Sequence, residues 1–223
     1  MPSINVNPIK KNKKKYNIYY LDVKEINKII DSSKKLRDRV ILKILARTGI
    51  RRFELCQLKV SDVDFDRKLL YIPAGKGHKP RSVPIDNDTL QDLQFYIQSR
   101  RYGKLIQSNN KQSDGIDESR INIIVKKSGI KSMVSHPDPT KKYLNPHIFR
   151  HSFIRHLLKK NVPPNMVQQL AGHTDIRTTL QMYGIPSFND IQERYNEISD
   201  TFYEKEKIIQ HKPPQEEKKD QNI

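Results

Sequence analysis

The hydrophobic pattern of this chain changes its period in one stretch, residues 68–85, with the sequence KLLYIPAGKGHKPRSVPI. Two runs rich in β-branched and aromatic residues flank a Gly-Lys-Gly turn, which is the pattern of a β-hairpin. Most of the remaining chain repeats its apolar residues at helical spacing. The sequence therefore predicts a mainly α-helical protein with one small antiparallel β-sheet, in the α+β class.

End signals place the helices on both sides of this hairpin. Asp22 is a candidate N-cap for the first helix, and Gly49 ends the second, LRDRVILKILARTG. The fourth helix is expected to be capped near Asn87 or Asp88. From the third onward, the predicted helices cover 51–58, 87–101, 118–128, 147–160, 163–171, 175–183 and 188–209.

The charge balance narrows the choice of partner. The 223 residues contain 42 Lys and Arg against 25 Asp and Glu, a net charge of +17. Such an excess is typical of proteins that bind phosphate backbones, and a membrane surface is the rival polyanion. A membrane span needs about 18 consecutive apolar residues, and no run approaches that length. The N-terminus also lacks the apolar core of a signal peptide, so we expect a cytoplasmic, nucleoid-associated protein with no membrane partner.

The single cysteine, Cys56, rules out an intramolecular disulfide and a cysteine-rich zinc cluster.

Two motifs in the first half of the chain carry basic residues at defined positions. The segment ARTGIRRFEL, 46–55, has Arg51 just after a helix break and Glu54 three residues further on. The predicted hairpin tip carries Lys76. Planar guanidinium groups such as that of Arg51 offer paired donors to a phosphate that gains negative charge during attack.

Two further motifs follow in the second half. In NPHIFRHSF, 145–153, His147 and Arg150 share one helical face because they are three residues apart. In AGHTDIRTTLQMYG, 171–184, His173 is followed ten residues later by Tyr183. Arg150 suits the same clamping role on a phosphate as the first arginine does.

In this order the motifs resemble those of the tyrosine recombinase family, the integrases and chromosome-dimer resolvases. That family carries T-G-[apolar]-R-x-x-E-L, a hairpin lysine often written G-K-G, H-x-[apolar]-R-H, [L/A]-G-H, and a tyrosine nine or ten residues further on. The similarity runs from about Leu21 to about Ile191. It implies the tyrosine recombinase catalytic-domain fold and six active-site residues: Arg51, Lys76, His147, Arg150, His173 and Tyr183.

The resemblance also implies a role for each group. Tyr183 would attack the phosphorus and form a 3′-phosphotyrosyl bond, so that rejoining needs no ATP and no metal. His147 is the candidate base, and Lys76 would protonate the leaving 5′-oxygen, although Lys79 is a near competitor. His173 would donate to a phosphate oxygen. Tyr195 and Tyr203 are the alternative nucleophiles.

Several residues are expected to support the site or contact DNA. Glu54, one helical turn after Arg51, could hold its guanidinium group by an ion pair. His151 is interpreted as a support residue packed behind the site. Arg52 departs from the small or apolar residue that is usual in the family at that position. The residues predicted to contact DNA are Arg52, His78, Lys79 and Arg81.

A metal site is the main chemical alternative. His147 and His151 have the spacing of the zinc-binding pattern H-E-x-x-H, and His173 could supply a third ligand. However, Ile148 stands where that pattern needs its glutamate, and the positive surroundings disfavour a divalent cation. We therefore expect neither a metal nor a cofactor.

The expected function is site-specific recombination on double-stranded DNA by a DNA-bound homo-tetramer, in which two subunits cut at a time. The numbers four and two are implied by the resemblance. The protein could be a monomer in solution before it assembles on DNA. The alternatives are a type IB topoisomerase-like nicking and resealing enzyme and a weakly active DNA-binding regulator with the same fold.

The chain is expected to divide into a flexible basic arm (1–19), the catalytic domain (20–187), a C-terminal helix (188–210) and a disordered tail (211–223). The helix carries an apolar stripe that either docks in a neighbouring subunit or packs on its own domain. Most family members place a separate DNA-clamping domain before this region. The chain therefore resembles minimal members such as the fimbrial phase-switching inversion enzymes, or is a catalytic fragment of a longer protein.

Overall fold

The structure, a computed structural model, describes residues 19–74, 80–108 and 113–172, together with Gln192, Tyr195 and Asn196. Contacts within the chain separate two compact units, Met1–Gly184 and Ile185–Ile223, and the elements below belong to the first. Mainly helical structure with a small antiparallel sheet is confirmed. In chain order the elements are α1 (Val23–Asp31), α2 (Leu36–Thr48), α3 (Arg52–Gln57), a 3-10 turn (Val60–Asp62), β1 (Val63–Asp64), β2 (Leu69–Ile72), β3 (Arg81–Pro84), α4 (Asn87–Ile97), α5 (Glu118–Ser132), α6 (Pro146–Lys159) and α7 (Pro164–Ala171).

The ends of the first two helices follow the predicted signals. The Asp22 carboxylate accepts from the Glu25 N–H at 2.7 Å, and the Glu25 carboxylate accepts from the Asp22 N–H at 2.8 Å, which forms a capping box. Gly49 ends α2 in the left-handed conformation, with φ of +63°. Both predicted boundaries are therefore confirmed.

Three other helix ends differ from expectation, one of them the end of α4 at Ile97 instead of residue 101. The cap of α4 is Asp86, whose carboxylate accepts from the Thr89 N–H at 3.0 Å, so the cap lies one residue before the two predicted candidates, Asn87 and Asp88. The helix expected to end at residue 128 continues to Ser132. The helices predicted at 175–183 and 188–209 lie outside the described residues, apart from the three isolated positions named above.

Helix α2 is the centre of the main hydrophobic core. Every residue from Val40 to Ala46 is buried, and the helix packs against α1, α4, α5 and α6. Each fully buried Leu or Ile side chain contributes roughly 1.5–3 kcal/mol relative to exposure. The one charged member, Lys43, places its Nζ atom 2.7 Å from carboxylate oxygens of both Asp88 and Asp92.

Among the described helices, none is both long enough and apolar enough to cross a bilayer.

The sheet has the strand order β1-β2-β3, and both pairs are antiparallel. Leu70 lies opposite Val63 on one side and Val83 on the other, and all three side chains are buried. The predicted hairpin is thus confirmed in its strands, while its turn, 75–79, is outside the description. The two-residue strand β1 was not expected.

The segment before α1 is fixed on α6. The Leu21 N–H donates to Ser152 Oγ at 2.8 Å, and His156 Nε2 donates to the Leu21 carbonyl at 2.9 Å. Lys159 Nζ donates to Tyr20 Oη at 2.6 Å. These bonds join parts of the chain more than 130 residues apart and attach the segment that leads into α1 to α6.

A second, smaller apolar cluster joins α6 to α7. Its buried members are Ile154, Val167 and Ala171. Because α7 also packs against β3, this cluster sets the position of the α7 C-terminus relative to the sheet. The half-buried side chains around it are Phe153, Leu157, Leu158 and Val162.

Candidate active site

The first site residue, Arg51, stands at the start of α3. It is the N-cap residue of that helix, and its backbone N–H donates to the Glu54 carboxylate at 2.7 Å. Arg51 Nη1 contacts the same carboxylate at 3.3 Å, and Nη2 donates to the Gly172 carbonyl at 3.3 Å. The expected pair with Glu54 is present, although the contact through the side chain is the longer of the two.

The second group of site residues begins α6. The Asn145 side chain accepts from the His147 N–H at 3.0 Å and caps the helix, and Pro146 occupies its first turn. His147 is exposed, whereas Arg150 is 6% exposed. Arg150 donates from Nη1 to the Gly49 carbonyl at 2.7 Å and from Nη2 to the Ala171 carbonyl at 2.6 Å.

Three arginines bond three consecutive carbonyls at the end of α7. Arg81 Nε donates to the Leu170 carbonyl at 2.9 Å, while Arg150 and Arg51 bond the next two, those of Ala171 and Gly172. Helix C-termini present unpaired carbonyls and a partial negative charge, so they stabilise cations. The structure thus gathers guanidinium groups from α3, β3 and α6 immediately before the position of His173 in the chain.

The two histidines of α6 have lowered pKa values. Although His147 is exposed, the part of its ring that faces the protein is desolvated, and this partial burial, followed by the positive charges of Arg52, Arg150 and Arg51, lowers its pKa. Burial and then the charge of His147 lower the pKa of His151 to about 4. Both imidazoles are therefore neutral at neutral pH, and a neutral His147 is in the form that accepts a proton.

Glu54 has a strong partner that sequence reasoning missed. Arg81 holds the carboxylate through both oxygens, with Nη1 to Oε1 at 2.8 Å and Nη2 to Oε2 at 2.9 Å. Burial alone would raise the pKa of Glu54, but the bonds from Arg81 and from the Arg51 N–H outweigh it and lower the pKa. The separation of 27 residues between Glu54 and Arg81 leaves no local sequence signal for this pair.

Two of the residues expected to contact DNA, Arg81 and Arg52, form hydrogen bonds and ion pairs with other groups of the protein. The side chain of Arg81 is only 8% exposed and its donors face Glu54 and α7, and its predicted contact with DNA stays a prediction. Arg52 Nε pairs with Glu118 at 2.5 Å, and its Nη1 donates to Asn122 at 3.2 Å. Since 36% of the Arg52 side chain stays exposed, its DNA contact remains a prediction.

Five of the predicted site residues lie outside the described residues, and their roles stay predictions: Lys76, His78, Lys79, His173 and Tyr183. In the part of the chain that the structure does describe, His, Cys, Asp and Glu side chains form no group of three that could hold a metal ion. The metal alternative needed His173 as its third ligand, so it too stays untested.

Comparison with known proteins identifies the family of this chain. The model of the phage integrase family matches residues 18–189. The tyrosine recombinase XerA of Pyrococcus horikoshii is 33% identical to the chain over 162 residues, which cover 71% of this chain and 54% of that protein.

Solved structures of recombinases also match this chain. The crystal structure of a XerA recombinase matches with a TM-score of 0.64 and 29% identity, over 80% of this chain and 64% of the other. The XerH site-specific recombinase bound to its difH substrate, in a pre-cleavage complex, matches with a TM-score of 0.64 and 23% identity over 79% of this chain and 53% of the other, which shows the shared fold. The chain spans about half the length of the XerA relative. Because the family model covers most of the sequence, and because the predicted motifs lie within the matched region, this chain belongs to the phage integrase family, the tyrosine recombinases.

Proposed function

We propose that this chain is a site-specific DNA recombinase that cleaves and rejoins double-stranded DNA through a covalent 3′-phosphotyrosine at Tyr183, without a metal or ATP. The observation that carries the proposal is the convergence of Arg51 and Arg150 on the carbonyls of Gly172 and Ala171. Two guanidinium groups from distant parts of the chain are thereby brought together, as a clamp on one phosphate requires. Family membership supports the same reaction.

In the first step, the Tyr183 oxygen attacks the phosphorus while His147 takes the phenolic proton. The bond from phosphorus to the 5′-oxygen breaks, and Lys76 supplies the proton that this oxygen needs to leave as a hydroxyl. Arg51 and Arg150 hold the non-bridging oxygens, on which negative charge increases. The covalent bond formed is again a phosphodiester, so the 5′-hydroxyl of another strand can displace the tyrosine with no external energy source.

The histidines complete the proposed chemistry. The pKa of His147 lies below its ordinary value, which favours the neutral imidazole at neutral pH. A phenol with a pKa of roughly 10 needs such an acceptor, or strongly positive surroundings, before it attacks. His173, directly after the Gly172 carbonyl that receives Arg51, would donate to a phosphate oxygen.

The assembly and place of action are part of the same proposal. Residues 20–187 form the catalytic domain, and four copies assemble on DNA with two of them cutting at a time. The helix at 188–210 docks in a neighbouring copy or packs on its own domain. The protein acts in the cytoplasm on the nucleoid, and the net charge of +17 favours binding that weakens steeply with salt.

A suicide-substrate assay tests the reaction. Purified protein is incubated with a pool of randomised duplexes nicked close to the cleavage position, so that the released short strand diffuses away and the covalent adduct accumulates. We expect a denaturation-resistant adduct with the wild type and none with Tyr183→Phe. Tyr195→Phe is the matched control, because Tyr195 is 54% exposed and is one of the two alternative nucleophiles; it should form the adduct normally.

The outcomes separate the alternatives. An adduct that persists in Tyr183→Phe and disappears in Tyr195→Phe would reassign the nucleophile. The absence of any adduct with the wild type would favour the DNA-binding regulator. Sequencing of the adduct identifies the cleavage site. Products joined between two copies of that site would then indicate a recombinase, whereas relaxed plasmid without joined products would indicate a topoisomerase.

A further inference from the structure

The buried carboxylate of Glu54 is shared unequally between two arginines. Arg81 makes two parallel bonds to it, at 2.8 and 2.9 Å, in the bidentate geometry that is the strongest for this pair. The Arg51 guanidinium makes one contact at 3.3 Å, and its stronger bond to the carboxylate comes from the backbone N–H, at 2.7 Å. The charge of Glu54, which is 5% exposed, is therefore balanced mainly by Arg81.

Arg81 is itself held in one position. Besides the two bonds to Glu54, its Nε donates to the Leu170 carbonyl at 2.9 Å. A Cβ atom built on Gly172 would lie 2.7 Å from Arg81 Nη1, so any side chain at this position would displace the guanidinium group. Arg81 is the first residue of β3. It thus joins the start of α3, strand β3 and the end of α7.

The consequence concerns the charge of Arg51. A guanidinium group that pairs through two of its three nitrogens with a carboxylate has its charge neutralised and these paired donors occupied, so it binds a phosphate poorly. If Arg81 were removed, the buried carboxylate would have Arg51 as its remaining arginine partner. An uncompensated buried charge is costly, so Arg51 would turn onto Glu54 in the bidentate geometry.

We propose that Arg81 is a positioning residue: by neutralising Glu54, it keeps the Arg51 guanidinium available for the scissile phosphate. The inference rests on the proposed function, because it assumes that Arg51 binds that phosphate. It assigns to Arg81 a role in cleavage that does not involve contact with DNA.

The central test compares Arg81→Met with the double variant Arg81→Met/Glu54→Gln. We measure the single-turnover cleavage rate at saturating suicide DNA, the Kd for DNA, and the midpoint of thermal unfolding. Arg81→Met should slow cleavage roughly 10- to 100-fold with little change in Kd, since Arg51 acts mainly in the transition state. The double variant removes the carboxylate charge as well, so it should regain at least about tenfold in rate.

Two further variants separate charge from general stability. Arg81→Lys keeps a cation beside Glu54 without the bidentate geometry, and its cleavage rate should stay within about tenfold of the wild type. Arg39→Met is the matched control, because Arg39 also holds a carboxylate through two bonds, to Asp92 at 2.7 and 3.0 Å, between α2 and α4. It should lower the unfolding midpoint and leave the cleavage rate unchanged. If Arg81→Met loses stability but cleaves as fast as Arg39→Met, the proposal is overturned.

A spectroscopic measurement tests, independently of activity, whether Arg51 turns onto Glu54 when Arg81 is replaced. In the NMR spectrum of the side-chain guanidinium groups, Arg51 should show slowed rotation and shifted resonances in the folded Arg81→Met or Arg81→Lys protein. The change should be larger in the methionine variant. Adding Glu54→Gln should return the Arg51 resonances toward the wild-type spectrum. An unchanged Arg51 spectrum in a folded Arg81 variant would refute the inference, whether or not the wild type cleaves DNA. A wild type that forms no adduct would instead refute the proposed function alone.

Discussion

The substitution Gly49→Ala tests how the end of α2 is packed. At φ of +63°, an alanine carries a backbone penalty of roughly 1–2 kcal/mol. Its Cβ atom would also lie 2.3 Å from Phe153 Cδ1, and the displacement of such a neighbour costs about 1–3 kcal/mol. We therefore expect Gly49→Ala to lower the free energy of unfolding by about 2–5 kcal/mol, a large part of the stability of an ordinary domain.

Urea unfolding followed by circular dichroism measures this loss, and two comparisons separate its parts. Gly103 has φ of +87°, but a Cβ atom there would meet nothing within 4 Å, so Gly103→Ala should show the backbone penalty alone. Adding Phe153→Leu to Gly49→Ala should recover at least about 1 kcal/mol beyond additivity. Equal losses for the two glycine variants, or strict additivity with Phe153→Leu, would refute the packing argument. Because the Gly49 carbonyl receives Arg150 Nη1, cleavage should slow as well.

Two other predictions concern charged groups. The unfolded chain protonates His151 near pH 6.5 and the folded chain near pH 4, so the neutral imidazole stabilises the fold fully above about pH 6.5, and stability is lost as the pH falls toward 4. For this half-buried group we expect a loss of ~1–2 kcal/mol in urea unfolding, which His151→Gln should remove; an equal acid loss in both proteins contradicts the assignment. Lys43→Met should cost only about 1 kcal/mol, because Asp88 and Asp92 each keep an arginine partner. A loss above about 3 kcal/mol in the same assay would show that Lys43 is their essential partner.

The sequence contained enough information for most helices, since caps and stop signals are local. Asp22 and Gly49 were located correctly because one side chain or one backbone angle determines each end. At α4, the run of Asp86, Asn87 and Asp88 offers three possible caps, and only the three-dimensional path of the chain selects the first. Strand β1 has two residues, too few for any alternation to be visible.

The extension of α5 shows how packing overrides local preference. Gly129 lies directly after the predicted end at residue 128, and a glycine weakens the interior of a helix. In the fold, a Cβ atom at this position would lie 2.8 Å from Leu144 Cδ1, so the missing side chain makes room for a neighbour that is distant in the sequence. The role of Arg81 was missed for the same kind of reason, because nothing near Arg81 in the sequence indicates that its guanidinium group faces Glu54.

The attachment of Leu21 to α6 also affects how the protein is made. Its partner Ser152 is 131 residues further along the chain. A ribosome adding about 5–20 residues per second needs roughly 7–26 s to synthesise that interval. Helix α1 can meet α2 early, but the segment that leads into it lacks the bonds to Ser152 and His156 until α6 emerges. Nascent chains stalled before residue 152 should therefore expose this segment to proteases, and chains released after α6 should protect it.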